Sequence, residues 1–437
     1  MVGAARRRSV RAARPAHRGP RRAGAARPAS RRPHPSGAAG DYAASRGRGT
    51  HGGRAGEHLC RPGRIGGRLV RIVQLANFYT PASGGLRTCV DEIGRGYTVA
   101  GHERVLVVPG PADNDEQTPA GRRITVRSPK FGAAGYHVLT ARRTRVVLDR
   151  LYPDVLECSD KLSVRWLAPW ARRTGVPLVL FSHERIDAIL RSRVPRGFPL
   201  AAAADLANRR LCVRAEKVVV TSNFATAEFD RIGATNVRRI PLGVDLTTFR
   251  PTESDSAADV VRLVLVSRLS REKRAERAIE AVRELRAAGI HCRLTVIGDG
   301  PLRPRMERLA AGLPVDFRGH LTDRATMAAL VADADIAVFP SPAETFGLAV
   351  LEALACGTPV VVPEAGAAGE LVGAPGSGVV SDGSPRGLAA GVRELLEVPA
   401  PQRRIAARTA AERFPWSATV AGMLALYADY ESPSRTA

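Results

Sequence analysis

A run of about eighteen consecutive apolar residues, the least that crosses a bilayer as a helix, is absent from this 437-residue chain, so no membrane span is expected. Cysteine is sparse. Cys60, Cys89, Cys158, Cys212, Cys292 and Cys356 form no CxxC pair and never approach a histidine at zinc spacing. Buried free thiols in a reducing cytosol are the expectation. Acids are almost missing from the first 68 positions, where only Asp41 and Glu57 face 17 arginines, a net +15 of the formal +24. Aliphatic side chains are scarce there too, so residues 1–68 cannot bury enough apolar surface to offset ordering entropy. We expect a disordered Arg-rich extension. It lacks the apolar region of a signal peptide, and its Pro and Gly argue against an amphipathic transit helix. Two readings stay open: an upstream stretch ahead of a true start near Val70, or a tether to nucleic acid or an anionic surface. The remaining residues carry 49 bases against 40 acids, so the charge does not by itself mark a nucleic-acid-binding domain.

What is present is an alternation of short apolar runs with helical patterns. Val70–Ala76 reads as a first buried strand, residues 77–87 as a turn-rich loop, Thr88–Ala100 as a helix stopped by Gly101, and Arg104–Pro109 as a second strand. That order is a βαβ unit and implies a parallel sheet. Further strands are expected at 154–157, 177–181, 217–221 and 237–241, with helices at 161–174 and 222–232. A second series has strands at 261–267, 293–298, 315–318, 336–340 and 359–362, and helices at 274–288, 302–311, 324–332 and 347–355. The hydrophobic pattern thins between Gly243 and Pro251, which marks a boundary between two α/β halves. Open parallel sheets hold ligands at the carboxyl ends of their strands, so two facing halves would share a cleft.

Several residues are placed for chemistry at those strand ends. Gly84 and Gly85 follow a strand and precede a helix. Without Cβ atoms they let backbone amides approach a diphosphate at the positive helix end, although a plain βα turn reads the same way. Arg268 and Lys273, at and after a strand end, can neutralise a diphosphate leaving group or form part of a solvated charge run with Arg271, Glu272 and Arg274. Glu352 lies among Leu351, Ala353 and Leu354, and a carboxylate in such a stretch needs a partner. The amides of Phe346, Gly347 and Leu348, at a helix start, can hold sugar or phosphate oxygens. Asp333-Ala-Asp335 has the letters of a metal-binding DxD, but it ends a helix before a buried strand, so a structural role is expected.

Four segments together resemble the retaining glycosyltransferases of family four, which have the GT-B fold. They are Ser83-Gly-Gly-Leu-Arg87; Pro241-Leu-Gly-Val-Asp245 with Phe249; Ser267-Arg-Leu-Ser-Arg-Glu-Lys273; and Glu344-Thr-Phe-Gly-Leu-Ala-Val-Leu-Glu352 followed by Ala353-Leu-Ala-Cys-Gly-Thr-Pro-Val360. The resemblance covers roughly residues 69–430. It implies two Rossmann-like domains whose parallel sheets face across a cleft: 69–243 on the acceptor side, 244–414 binding the donor nucleotide, and 415–437 as a C-terminal helix packing back toward the first domain, with a tail. It assigns Gly85, Arg268 and Lys273 to the donor phosphates, Glu344 to hydroxyls of the transferred sugar, and Glu352 to the ribose. His183, after the strand at 177–181, matches the active-site histidine, though a lone histidine is more often structural. Leu321 and Asp323 would border the nucleobase, and Asp160 the acceptor.

The resemblance also implies transfer with retention. No carboxylate pair of the kind retaining glycosidases use is evident, so a front-face substitution is expected, the leaving diphosphate taking the acceptor's proton without a metal or other cofactor. Residues 122–150 hold eight basic side chains with Val146, Val147, Leu148 and Leu151 interleaved. A basic helix with an apolar side suggests docking on an anionic membrane, while a solvated face reads equally well. The chain is similar to actinobacterial mannosyltransferases acting on phosphoinositide lipids. The expectation is therefore a hexose, mannose from GDP-mannose, moved to a lipid-linked or glycan acceptor in the cytoplasm or at the inner face of the cell membrane. The alternatives are a sugar-nucleotide epimerase of the same architecture and a non-catalytic scaffold with a nucleic-acid-binding tail.

Overall fold

A computed structural model describes residues 69–80, 83–131, 136–190, 199–252, 259–428 and 430. The Arg-rich extension and Cys60 lie outside the described residues. The first half runs β1 (Arg71–Leu75), α1 (Gly85–Val99), β2 (Glu103–Gly110), β3 (Asn114–Thr118), β4 (Gly121–Arg127), β5 (Lys130–Phe131), β6 (Tyr136–His137), α2 (Ala141–Leu151), β7 (Val155–Cys158), α3 (Val164–Thr174), β8 (Leu178–Phe181), α4 (Ile186–Leu190), α5 (Leu200–Cys212), β9 (Lys217–Val220), α6 (Asn223–Asp230) and β10 (Val237–Arg239). Its eight-stranded sheet has the order β10-β9-β8-β7-β1-β2-β4-β3. All pairs are parallel except β3 with β4.

The second half runs β11 (Val261–Val266), α7 (Glu276–Ala287), β12 (Cys292–Ile297), α8 (Arg303–Leu309), β13 (Val315–Gly319), α9 (Arg324–Ala332), β14 (Ile336–Val338), α10 (Leu348–Ala355), β15 (Val360–Pro363), β16 (Gly378–Ser381), α11 (Pro385–Glu397), α12 (Ala400–Glu412) and α13 (Trp416–Ala428). Its six strands are all parallel, in the order β13-β12-β11-β14-β15-β16. Helices cover both faces of such sheets, so the inner strands are apolar throughout: β7, β8 and β15 are buried at every residue. Strand order reverses beside β1 in the first sheet and beside β11 in the second. Ligands of doubly wound sheets bind outside the strand ends at those switch points.

α13 packs against the first half. Val420 sits against Gly96 of α1, and a Cβ built on Gly96 would lie 2.2 Å from its Cγ2. The Tyr427 hydroxyl donates to the buried Glu157 carboxylate at 2.7 Å, and Tyr97 of α1 donates to the same oxygen at 3.0 Å. Gln74 donates to the other oxygen at 2.8 Å. Burial pushes the Glu157 carboxyl up, against those three donors.

Two expectations change. The first helix starts at Gly85 rather than Thr88, because Gly84 adopts φ +54° and caps it. The basic stretch 122–150 is not one helix. Arg122 and Arg123 belong to the edge hairpin of β3 and β4, where Asp115 and Glu116 pair with them at 2.6 and 2.8 Å, and Arg143 meets Asp113 at 2.6 Å. The helical part is α2 alone. The five described cysteines are free, and four are buried. Among the described residues no helix is long and apolar enough to cross a membrane.

Candidate active site

The loop after β1 is fixed from below. Asn77, almost fully buried, donates to Asp160 at 3.1 Å and to Ser163 at 2.8 Å, and its carbonyl oxygen accepts the Leu139 amide at 2.9 Å. Asp160 thus ties the β7 turn to the β1 turn, and its carboxylate is spent on Asn77 and the Ser163 amide. Gly84 and Gly85 come next. A Cβ on Gly85 would lie 3.3 Å from Leu348 Cδ1, so the glycine turn of the first half touches the opening residue of α10 in the second.

Leu348 begins the helix that carries Glu352 one turn later. Burial raises the Glu352 carboxyl to about 7, opposed by Arg324 and reinforced by Asp245. Arg324 Nη2 lies 3.4 Å from Glu352 Oε1. The same guanidinium stands over the Phe249 ring, 4.9 Å from its centroid, and donates to Thr88 of α1 at 3.3 Å. Burial also pushes the Asp245 carboxyl up, but bonds from Thr247 and Thr248 outweigh it and hold it at about 2. Segment 241–249 therefore closes on the Glu352 end of the site.

The cationic pair comes from the turn after β11. Lys273 Nζ lies 2.5 Å from Glu344 Oε1, with both side chains partly buried. Arg268 is half exposed, and its Nη2 pairs with Glu272 Oε1 at 3.7 Å. Thr345, beside Glu344, donates from Oγ1 to the His183 carbonyl at 2.7 Å, and its own carbonyl accepts Thr221 Oγ1 at 3.0 Å and Ser222 Oγ at 2.6 Å. The His183 ring stacks on Phe181 with centroids 4.5 Å apart, and its buried Nε2 has no hydrogen-bond partner. Burial lowers its pKa to about 4, so the ring is neutral at pH 7.

Gly84, Gly85, His183, Lys273, Glu344, Phe346, Gly347, Leu348 and Glu352 thus belong to one connected region at the carboxyl ends of both sheets, with Arg268 at its edge. Leu321 and Asp323 lie in the turn between β13 and α9. Leu321 is partly buried against the main hydrophobic core, and the Asp323 carboxylate caps α9 by accepting the amides of Ala325 and Thr326. An Asp there stabilises the helix start. Asp333 and Asp335 pair with Arg262 at 2.7 and 3.1 Å, a structural use. Arg324 escaped the sequence reading, although a signal existed: a cation in the first turn of a helix opposes the dipole and needs another reason to be there. Thr345 and Glu370 gave no such signal, because their partners lie more than a hundred residues away.

Two facing parallel α/β domains with this connected site define a glycosyltransferase of the GT-B class. Residues 261–398 match the family model for glycosyl transferases group 1, and 83–248 that for glycosyltransferase family 4. The chain is 45% identical, over 82% of its length and 95% of the relative's, to a GDP-mannose-dependent alpha-(1-6)-phosphatidylinositol dimannoside mannosyltransferase of Mycobacterium tuberculosis. It is 29% identical, over 82% of its length and 94% of the relative's, to a glycogen synthase of the same species. Among solved structures, the sucrose-phosphate synthase of Thermosynechococcus elongatus superposes with a TM-score of 0.69 at 22% identity, covering 82% of this chain and 98% of that one. Anabaena HepE in complex with UDP and glucose gives 0.63 at 21%, covering 83% and all of that chain. This chain belongs to the family four, group 1 glycosyltransferases.

Proposed function

We propose that the protein transfers mannose from GDP-mannose, with retention of configuration, to a mannosylated phosphoinositide lipid. The observation that carries the reading is the meeting of the Gly85 turn with the start of α10, beside the Lys273–Glu344 pair. The mannose and lipid choices follow from the mycobacterial relative, which is similar across almost its whole length.

In this mechanism the diphosphate lies at the positive end of α1, against the Gly85 amide, with Lys273 and Arg268 supplying the countercharge as the glycosidic bond breaks. Glu344 meets hydroxyls of the transferred sugar and Glu352 those of the ribose. The amides of Phe346, Gly347 and Leu348 hold sugar or phosphate oxygens. Neutral His183 borders the reacting carbon, where an uncharged ring does not repel an oxocarbenium-like centre. The acceptor hydroxyl attacks on the face the diphosphate leaves, and its proton passes to a phosphate oxygen. No metal or other cofactor takes part.

The acceptor is reached at a membrane surface. Arg142 and Arg150 of α2 are exposed next to Val146, which is 47% exposed, and Tyr152, which is 72% exposed. Basic side chains flanking exposed apolar ones suit an anionic lipid surface. The test is incubation with GDP-mannose, UDP-glucose or ADP-glucose and vesicles containing phosphatidylinositol dimannoside, read by mass spectrometry and anomeric NMR. A product one hexose heavier, made from GDP-mannose with an α linkage, supports the proposal. Preference for another donor, or an inverted linkage, overturns it.

A further inference from the structure

Six hydrogen bonds join the two halves at the site among the described residues. Arg324 to Thr88 is one. Three end on Thr345: its carbonyl accepts Thr221 and Ser222, and its hydroxyl donates to the His183 carbonyl. The last two come from Glu370, which follows β15 in the second half. Its Oε2 accepts the Asn223 amide and its Oε1 the Phe224 amide, both at 2.8 Å.

Asn223 and Phe224 open α6 in the first half. First-turn amides have no partner within their own helix, and a negative charge is favoured at that end. The usual partner is a neighbouring side chain of the same segment, and Ser222 does cap Ala225 at 3.0 Å. The two amides before it are instead taken by a carboxylate from the other domain. Ser222 Oγ couples the two contacts, because it caps α6 while donating to Thr345. Thr345 lies between Glu344 and Phe346, so three bonds that hold segment 344–348 in place come from the opposite half. If the halves part, that segment loses them.

We propose that Glu370 is a positioning residue. Its two-oxygen grip on the start of α6 closes the halves on each other, and closure sets residues 344–348 in the geometry that meets the donor. The proposal rests on the donor-contact role given to that segment above.

The test combines a distance with a rate. Dyes on Arg210→Cys and Arg393→Cys, exposed positions of α5 and α11, report the separation of the halves by single-molecule energy transfer in the absence of donor. Glu370→Ala should shift the population to longer separations. It should also lower kcat at least about tenfold, as expected for loss of charge-assisted bonds, with a much smaller change in donor KM. Glu370→Gln, which keeps one accepting oxygen, should recover part of both effects. Asn223→Pro tests the grip from the other side. It removes one donor at the first helical position, where proline fits, after a Ser222 with extended φ −152° and ψ 166°. Its effect should be intermediate and should not add to that of Glu370→Ala. It carries the same test if Glu370→Ala does not fold.

An unchanged separation in Glu370→Ala overturns the proposal, as does a longer separation with wild-type kcat. If the wild type uses no sugar nucleotide, the functional reading fails, while the distance measurement still decides whether Glu370 closes the halves.

Discussion

Glu352 and His183 are displaced from their ordinary titration ranges in ways that disfavour charge, and burial is the leading cause for both. The folded chain keeps the Glu352 proton up to about pH 7, whereas an unfolded glutamate releases it near 4.5. Its stabilising contribution is therefore complete below about 4.5 and is lost as pH rises through about 7. Glu352→Gln, which stays neutral, should gain in melting temperature relative to wild type across that window and level off above it. A difference that does not vary with pH contradicts the assignment. His183 runs the other way: its contribution is present above about 6.5 and is lost as pH falls through about 4. Lys273→Ala removes the best-placed cation and should lower kcat about a hundredfold to a thousandfold, the range for one preorganised transition-state donor. Wild-type turnover in that variant would end the phosphate role. Because Lys273 and Arg268 supply the countercharge in this mechanism, exhaustive chelation should leave the rate unchanged, and its loss would require a bound cation.

The elements fix where those residues stand. Gly298 follows β12 at φ +134°, and a Cβ there would lie 2.0 Å from the Ser267 carbonyl oxygen. Gly298→Ala must therefore push the turn that carries Arg268 and Lys273, and donor KM should rise even though residue 298 touches no substrate. An unchanged KM would mean the turn adjusts without moving those cations. At α13, Tyr427→Phe removes one of three donors from the buried Glu157 and should cost about 1–3 kcal/mol of stability, measured by denaturant titration, with little effect on donor KM. The βαβ order and the strand-end glycines were legible because parallel strands buried on both faces read as short apolar runs. The β3–β4 hairpin was not, since Asn114–Thr118 is polar throughout and lies at the sheet edge. α5 escaped for a related reason: its buried positions are Ala204, Asn208 and Leu211, too little apolar surface to make a stripe. At Asp323 the cap was not legible, because a strand-end carboxylate looks the same in sequence whether it meets a ligand or caps the next helix.

On the scale of the whole molecule, the two switch points bring the ends of β1 and β11 to one region, and that convergence is what a sugar-nucleotide site requires. The contacts that complete it, Gly85 with Leu348, Arg324 with Thr88 and Glu370 with α6, all join distant parts of the chain, and no local pattern announces them. The motif-bearing residues could therefore be named from sequence, while the closure that assembles them could not. The most direct measurement is the structure of the protein bound to GDP-mannose. The account predicts a diphosphate oxygen about 3 Å from the Gly85 amide and another about 3 Å from Lys273 Nζ, with the ribose hydroxyls on Glu352. A nucleotide whose phosphates reach neither the glycine turn nor Lys273 would contradict it.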